Sequence, residues 1–222
     1  MIEFRLPASE SFRSQCGLAS RIIAVIIGIA VTAGFFSAWS FVATFLVMMF
    51  AVPFSLLIAL IGAGVLFMDA LRCLRDYESR FDAIAAICLA PVMALAAVLI
   101  FFPAAQAGER LGELSRFAVE HRRYEAIIAE IRETPREQRF VKRYGATYSV
   151  DSGPPLRIAF NPEGLGDNWS GIVYDPSGEV MLADGFDKQG RFRAPDRITK
   201  IFGGDLMRCR WLWSDYYTCS FT

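Results

Sequence analysis

The chain has 222 residues, of which 54% are hydrophobic, with a mean hydropathy of +0.35 and a formal net charge of zero. That composition is too apolar for an ordinary soluble domain. Positive and negative charges balance in each half as well, which excludes the clustered basic footprint of a nucleic-acid-binding protein.

In chain order, residues 1–20 read as a cytoplasmic N-terminal segment and residues 21–107 as three transmembrane helices, with a cytoplasmic loop at about 70–82. No Asp, Glu, Lys or Arg occurs from Ile22 to Met68, or from Ala83 to Gly108. About 20 apolar residues carry a helix across a bilayer, so the first run holds two spans and the second holds one. Lipid offers the backbone no hydrogen-bond partners, and such runs must therefore be helical. The first run far exceeds the ~7–15 apolar residues of a secretory leader, which predicts an anchor rather than a cleaved peptide.

The turn between the first two spans is expected between Ser40 and Pro53, with Trp39 as an interfacial anchor and Pro53 opening the second helix at its first position. Pro91 predicts a kink in the third span, and Phe101-Phe102-Pro103 marks its far interface. Small residues recur every fourth position at Ala24, Gly28 and Thr32, at Ser55, Ala59 and Ala63, and at Ala86, Ala90 and Ala94. That spacing lets helix backbones approach one another; either the three helices pack together, or one stripe docks another membrane protein. Asp69 reads as an interfacial residue at the end of the second span. Arg5, Arg13 and Arg21 precede the first span, and Arg72, Arg75 and Arg80 follow the second. By the positive-inside rule these ends are cytoplasmic, and three spans then carry everything after Gly108 outside.

Residues 108–145 read as amphipathic helices. Leu114, Phe117, His121, Tyr124, Ile128 and Ile131 alternate at spacings of three and four, one apolar stripe for packing on the following domain or on a second copy. His121, the one histidine, reads as a packed residue of that stripe. Thr134-Pro135-Arg136-Glu137 combines an N-cap, a first-turn proline and an acidic N3 residue, predicting a second short helix to about Arg143 that stops near Gly145.

From residue 146 to 222 the period becomes two, predicting a small antiparallel β domain outside the cytoplasm. "PLRIAF" is one strand, "SGIVYDPSGEVMLAD" two strands about an Asp175–Gly178 turn, and "RITKIF" another. Residues 161–168 and 184–196, rich in Gly, Asp and Asn, read as loops. The terminal "RCRWLWSDYYTCSF" folds as a hairpin turning at Ser214-Asp215. Alternation puts Cys209, Trp211, Trp213, Tyr217, Cys219 and Phe221 on one buried face. The register sets Cys209 opposite Cys219, within disulfide reach. A structural disulfide fits an oxidising compartment, with Cys16, Cys73 and Cys88 kept reduced elsewhere. A redox-active pair is the sharper alternative, but the Cys-X-X-Cys spacing it would use is absent.

The fold expected is therefore a three-helix transmembrane region followed by a small α+β domain, an amphipathic helix lying on an antiparallel sheet that ends in a disulfide hairpin. No catalytic residue, metal ligand or cofactor site is read from the sequence: Gly164-Leu165-Gly166 lacks a third glycine, and the loop aspartates lack calcium-loop spacing. The expected partners are the lipid bilayer and another membrane or envelope protein. The leading functional expectation is a non-enzymatic accessory, assembly or immunity-type protein of the bacterial inner membrane. The alternative is a membrane-anchored module that senses or binds a ligand through the loops at 161–167 and 184–196. The aromatic hairpin face is either the contact surface or core.

Overall fold

In a computed structural model, residues 10–72, 74, 80–133, 136–165, 168–183 and 185–222 are described. The chain divides into two compact units, Met1–Glu113 and Leu114–Thr222.

The first unit contains α1 (Glu10–Ser37), α2 (Phe41–Leu46), a π-helical turn (Val47–Ala51), α3 (Val52–Arg72) and the first part of α4 (Arg80–Glu133). Three helical segments, Phe12–Ser37, Val42–Arg72 and Arg80–Glu133, are long and apolar enough to cross a membrane. The turn between the first two lies at Ala38–Ser40, ahead of the expected interval and meeting it only at Ser40. Ser40 closes it: its side chain accepts the amide of Ala43 at 3.0 Å, satisfying one of the orphan donors of a helix start. Pro53 therefore does not open a helix. It sits just inside α3, after the π-helical turn, and a proline ring there clashes with the carbonyl four residues back. The wider turn takes in that position, Met49.

Glycine sets the packing of α1 on α4. A Cβ on Gly34 would run into the backbone of Ala105, one on Gly108 into Val31, and one on Gly112 into Phe35. Gly108 and Gly112 are four residues apart, so α4 presents two successive turns of bare backbone to α1. This pair was not among the expected stripes. Of those, Ser55, Ala59, Ala86 and Ala90 are buried, whereas Ala24, Gly28 and Thr32 are exposed. The packing face of α1 is instead Ala19, Ile26, Ala30 and Ala33. At the other end of the unit, Gln15 Nε2 donates to Asp69 Oδ2 at 3.0 Å, which ties α1 to α3 and gives Asp69 a structural partner.

The second unit is one helix, one sheet and a cover of loops. Six antiparallel strands run in the order β1-β2-β3-β4-β6-β5: β1 Gln138–Arg143, β2 Ala146–Asp151, β3 Arg157–Leu165, β4 Asn168–Tyr174, β5 Leu206–Trp213 and β6 Tyr216–Phe221. Alternate residues go to opposite faces. Ile158, Phe160, Ile172, Tyr174, Leu212 and Tyr216 meet Phe117, Tyr124, Ile127, Ile128 and Ile131 of α4 in one core cluster. Tyr124 lies flat on Phe160 with ring centroids 4.3 Å apart. Ala159, Val173, Cys209, Tyr217, Cys219 and Phe221 face the other way. There they pack under Val180, Ile198, Ile201 and Phe202. Each large apolar side chain buried this way contributes roughly 1.5–3 kcal/mol.

Four expectations are corrected. Residues 138–143 form the edge strand β1 rather than a helix; α4 ends at Glu133, and Thr134 and Pro135, the core of the capping signature, lie outside the described residues. Val141 favours extended backbone, and β2 supplies the hydrogen bonds. The segment after Gly178 does not return as a strand but forms a 3-10 turn, Glu179–Leu182. Asp175 dictates this, its carboxylate accepting the amides of Ser177 and Val180 at 3.0 Å each. "RITKIF" is not a strand: its first three residues belong to the short helix α5, Asp196–Thr199, whose Ile198 covers the second sheet face. Residues 161–165, expected as loop, continue β3 past an irregularity in its pairing between Phe160 and Glu163.

Substituting Gly108 or Gly34 with Val should lower the melting temperature of the purified chain in mild detergent, at a cost of roughly 1–3 kcal/mol for each overpacked contact. Gly28→Val, where an added Cβ meets nothing within 4 Å, should leave it unchanged. Equal effects at all three positions would contradict this packing.

Candidate functional site

The terminal hairpin carries the features that the core does not explain. Its turn is Ser214-Asp215, with Ser214 at φ 45°, and Cys209 pairs with Cys219 across the strands. A disulfide joins them at a Cα–Cα distance of 4.1 Å, and both cysteines are buried. Closing so short a loop contributes about 2–3 kcal/mol. The bond thus fixes the hairpin from beneath while being shielded from solvent.

The expected face of six residues is divided. The pairing shifts between Trp211 and Trp213, which breaks the strict alternation of β5. Leu212 and Tyr216, which alternation sets opposite those six near the turn, are buried against α4. Tyr217, Cys219 and Phe221 are core on the opposite side. Trp211 and Trp213 are left 51% and 59% exposed. The indole Nε1 of Trp211 donates to the carbonyl of Ser214 at 3.0 Å, which fixes the ring beside the turn. The 3-10 turn Glu179–Leu182 lies next to β5, and its Met181 and Leu182 are 45% and 53% exposed. One end of the sheet thus displays two tryptophans and two flexible apolar side chains on a cross-linked frame.

Several polar groups elsewhere in this unit are taken up by the fold. Arg157 is buried with three carboxylates around it: Glu179 at 2.7 Å, Asp175 at 3.3 Å and Asp151 at 3.5 Å. Asn161 donates to the hydroxyl of Tyr124 at 3.0 Å and accepts the amide of Thr147 at 3.2 Å. In the loop at 184–196, backbone amides of Arg191 and Gln189 hold the Asp187 carboxyl below its usual range. Asp167 and Asp184 lie outside the described residues. His121 is half-buried against Phe117 and Tyr216, with ring centroids 4.9 and 5.5 Å away, as a member of the helix stripe. Among the described residues, no three of His, Cys, Asp and Glu are grouped to hold a metal ion. The first unit holds a cavity of about 120 Å³ lined by apolar side chains and Ser55.

Two tyrosines seal the helix against the sheet. Burial pushes Tyr124 up to about 12, with smaller charge effects beside it. Tyr216 is raised further by burial and by its 2.5 Å hydrogen bond to Glu125.

No family model matches the chain, and neither a curated protein nor a solved structure matches it.

Arg157→Ala strands the fully buried Asp175 without its counter-charge and should cost roughly 3–5 kcal/mol, read as a lower melting temperature in detergent. The tyrosines set an alkaline limit. An unfolded tyrosine loses its proton near pH 10 while folded Tyr124 and Tyr216 keep theirs, so the unfolded chain binds fewer protons. The contribution of these two tyrosines should be constant below pH 10 and be lost as pH rises through 12. Tyr216→Phe should flatten that decline at a neutral-pH cost of about 1 kcal/mol; an unchanged slope would count against Tyr216 as its source.

Proposed function

We propose that this chain is a non-enzymatic integral membrane protein that binds a second envelope protein through its extracytoplasmic sheet unit, in the manner of an accessory, assembly or immunity-type protein. The observation that carries the reading is the exposure of Trp211 and Trp213 on a disulfide-fixed hairpin, with Met181 and Leu182 exposed on the 3-10 turn next to β5. Neither sheet core needs these side chains. Tryptophans held rigidly on a surface are the residues that most often dominate binding energy at protein interfaces, while methionine adapts to an irregular partner.

Orientation rests on chemistry. Arginines flank the outer ends of the first two spans and are missing from the short turn between them, which supports a cytoplasmic N-terminus. An odd number of crossings then carries Leu114–Thr222 to the other side. The disulfide supports the same side, since such bonds persist in oxidising compartments. For a bacterial cell this is the inner membrane with the sheet unit in the periplasm. The ligand-sensing alternative has less support, because Asn161 and Asp187 spend their polar atoms on the fold.

Affinity capture from membranes in mild detergent should recover one defined partner with the native chain. Trp211→Ala combined with Trp213→Ala should lose it, each truncation weakening binding by about 30-fold if it removes a hot-spot contact of about 2 kcal/mol. The melting temperature should barely move, because both side chains are exposed. Recovery of the same proteins by native chain and double variant would sink the proposal.

A further inference from the structure

An open sheet edge is a liability, because its unpaired amides and carbonyls invite another strand. Strand β1 is such an edge: β2 pairs with it on one side, and among the described residues no strand pairs with the other. Its hairpin would suit an incoming copy, since Val141, Tyr148 and Val150 are residues that strands favour. Yet β1 is interrupted where an added strand would need it regular. Gln138 stands opposite Val150 and Val141 opposite Tyr148, so Arg139 and Phe140 together face the single residue Ser149. That is a bulge of one residue.

The bulge is held against strain. Phe140 adopts φ 52° there, a left-handed conformation that bulky side chains rarely take, and its amide donates to Ser149 Oγ at 3.0 Å. Its ring is 57% exposed and lies 6.4 Å from that of Trp169. Neither Arg139 nor Phe140 belongs to either core cluster of the sheet. The longest unbroken pairing left in β1 is Val141–Arg143, well short of the ~5–6 residues of an ordinary strand. Arg139 and Lys142 are exposed on β1, which holds no acidic residue, so a second β1 alongside would bring like charges together. The opposite edge is closed in part by other means: the amide of Gly185 donates to the carbonyl of Met207 in β5 at 3.1 Å.

From these features we infer that the β1 bulge is an edge guard, a strained insertion that stops a second copy of this chain from adding its own β1 and continuing the sheet. With that edge refused and the β5 edge partly occupied, assembly through the sheet unit is left to side chains rather than to strand addition. The guard lies wholly within the sheet unit and is independent of the hairpin's partner.

The test measures the mass of full chains in mild detergent by light scattering, at equal protein concentration, together with their thermal melting. Deleting Phe140 lets β1 pair residue for residue with β2. Combined with Arg139→Thr and Lys142→Thr, the deletion should raise the mass about twofold or more over the native chain, with melting still cooperative. The two substitutions with Phe140 kept should leave the native mass, which separates the bulge from the charges. A combined variant that melts cooperatively at the native mass overturns the guard. Self-association of the two substitutions alone would assign the protection to charge and count against the bulge. A deletion that abolishes cooperative melting also refutes it, since the bulge would then be a requirement of the fold.

Discussion

Every backbone amide and carbonyl must find a partner, and in this chain that requirement is met in two incompatible settings. Along Ile22–Met68 and Ala83–Gly108 few polar side chains are close at hand beyond some serines and threonines and Gln106. Helix is then the one local solution that closes its own hydrogen bonds in an apolar medium. Each irregularity has a device beside it. Ser40 caps the restart after the first turn, and a π-helical turn precedes Pro53. Prolines 91 and 103 lie inside α4, which continues through both. In a bilayer, helices so apolar would gain nothing from hiding in one another, and their association would depend on close approach. The bare backbone at Gly34, Gly108 and Gly112 supplies it.

In the second unit the sheet solves the same problem by pairing its strands, and both of its faces are then covered. One face takes the α4 stripe and the other takes the 3-10 turn, α5 and their connecting loops. A sheet covered twice has few positions left for function. What stays exposed is the rim: Trp211 and Trp213 at one edge, Phe140 and Arg139 at the other. The disulfide belongs to the second core rather than to the rim, which fits a structural role.

This arrangement explains which features were legible in the sequence. The apolar runs were legible because span length depends on composition alone. The α4 stripe was legible because its period survives in the sequence, and the hairpin register because two cysteines and a turn lie symmetrically about Ser214. The faces of the hairpin were not legible, because Leu212 and Tyr216 are as apolar as Tyr217 and Phe221 and alternation cannot sort two buried faces. Residues 134–143 misled because Thr-Pro-Arg-Glu is a strong local helix start, whereas the pairing that makes β1 a strand comes from β2. The exposure of Trp211 and Trp213 depends on a pairing shift that no local pattern announces. The Gly108–Gly112 pair could have been found, since glycine at four-residue spacing at the end of an apolar run signals close helix packing.

The account stands or falls on the compartment of the last two cysteines. Intact cells should be treated with a membrane-impermeant maleimide, with and without prior exposure to an impermeant reductant and denaturant, and Cys209 and Cys219 read by mass spectrometry. The account predicts no label on either residue without reductant and label on both after reduction, in cells that remain sealed. Free thiols at these positions, or labelling that appears only once the cells are broken, would contradict it.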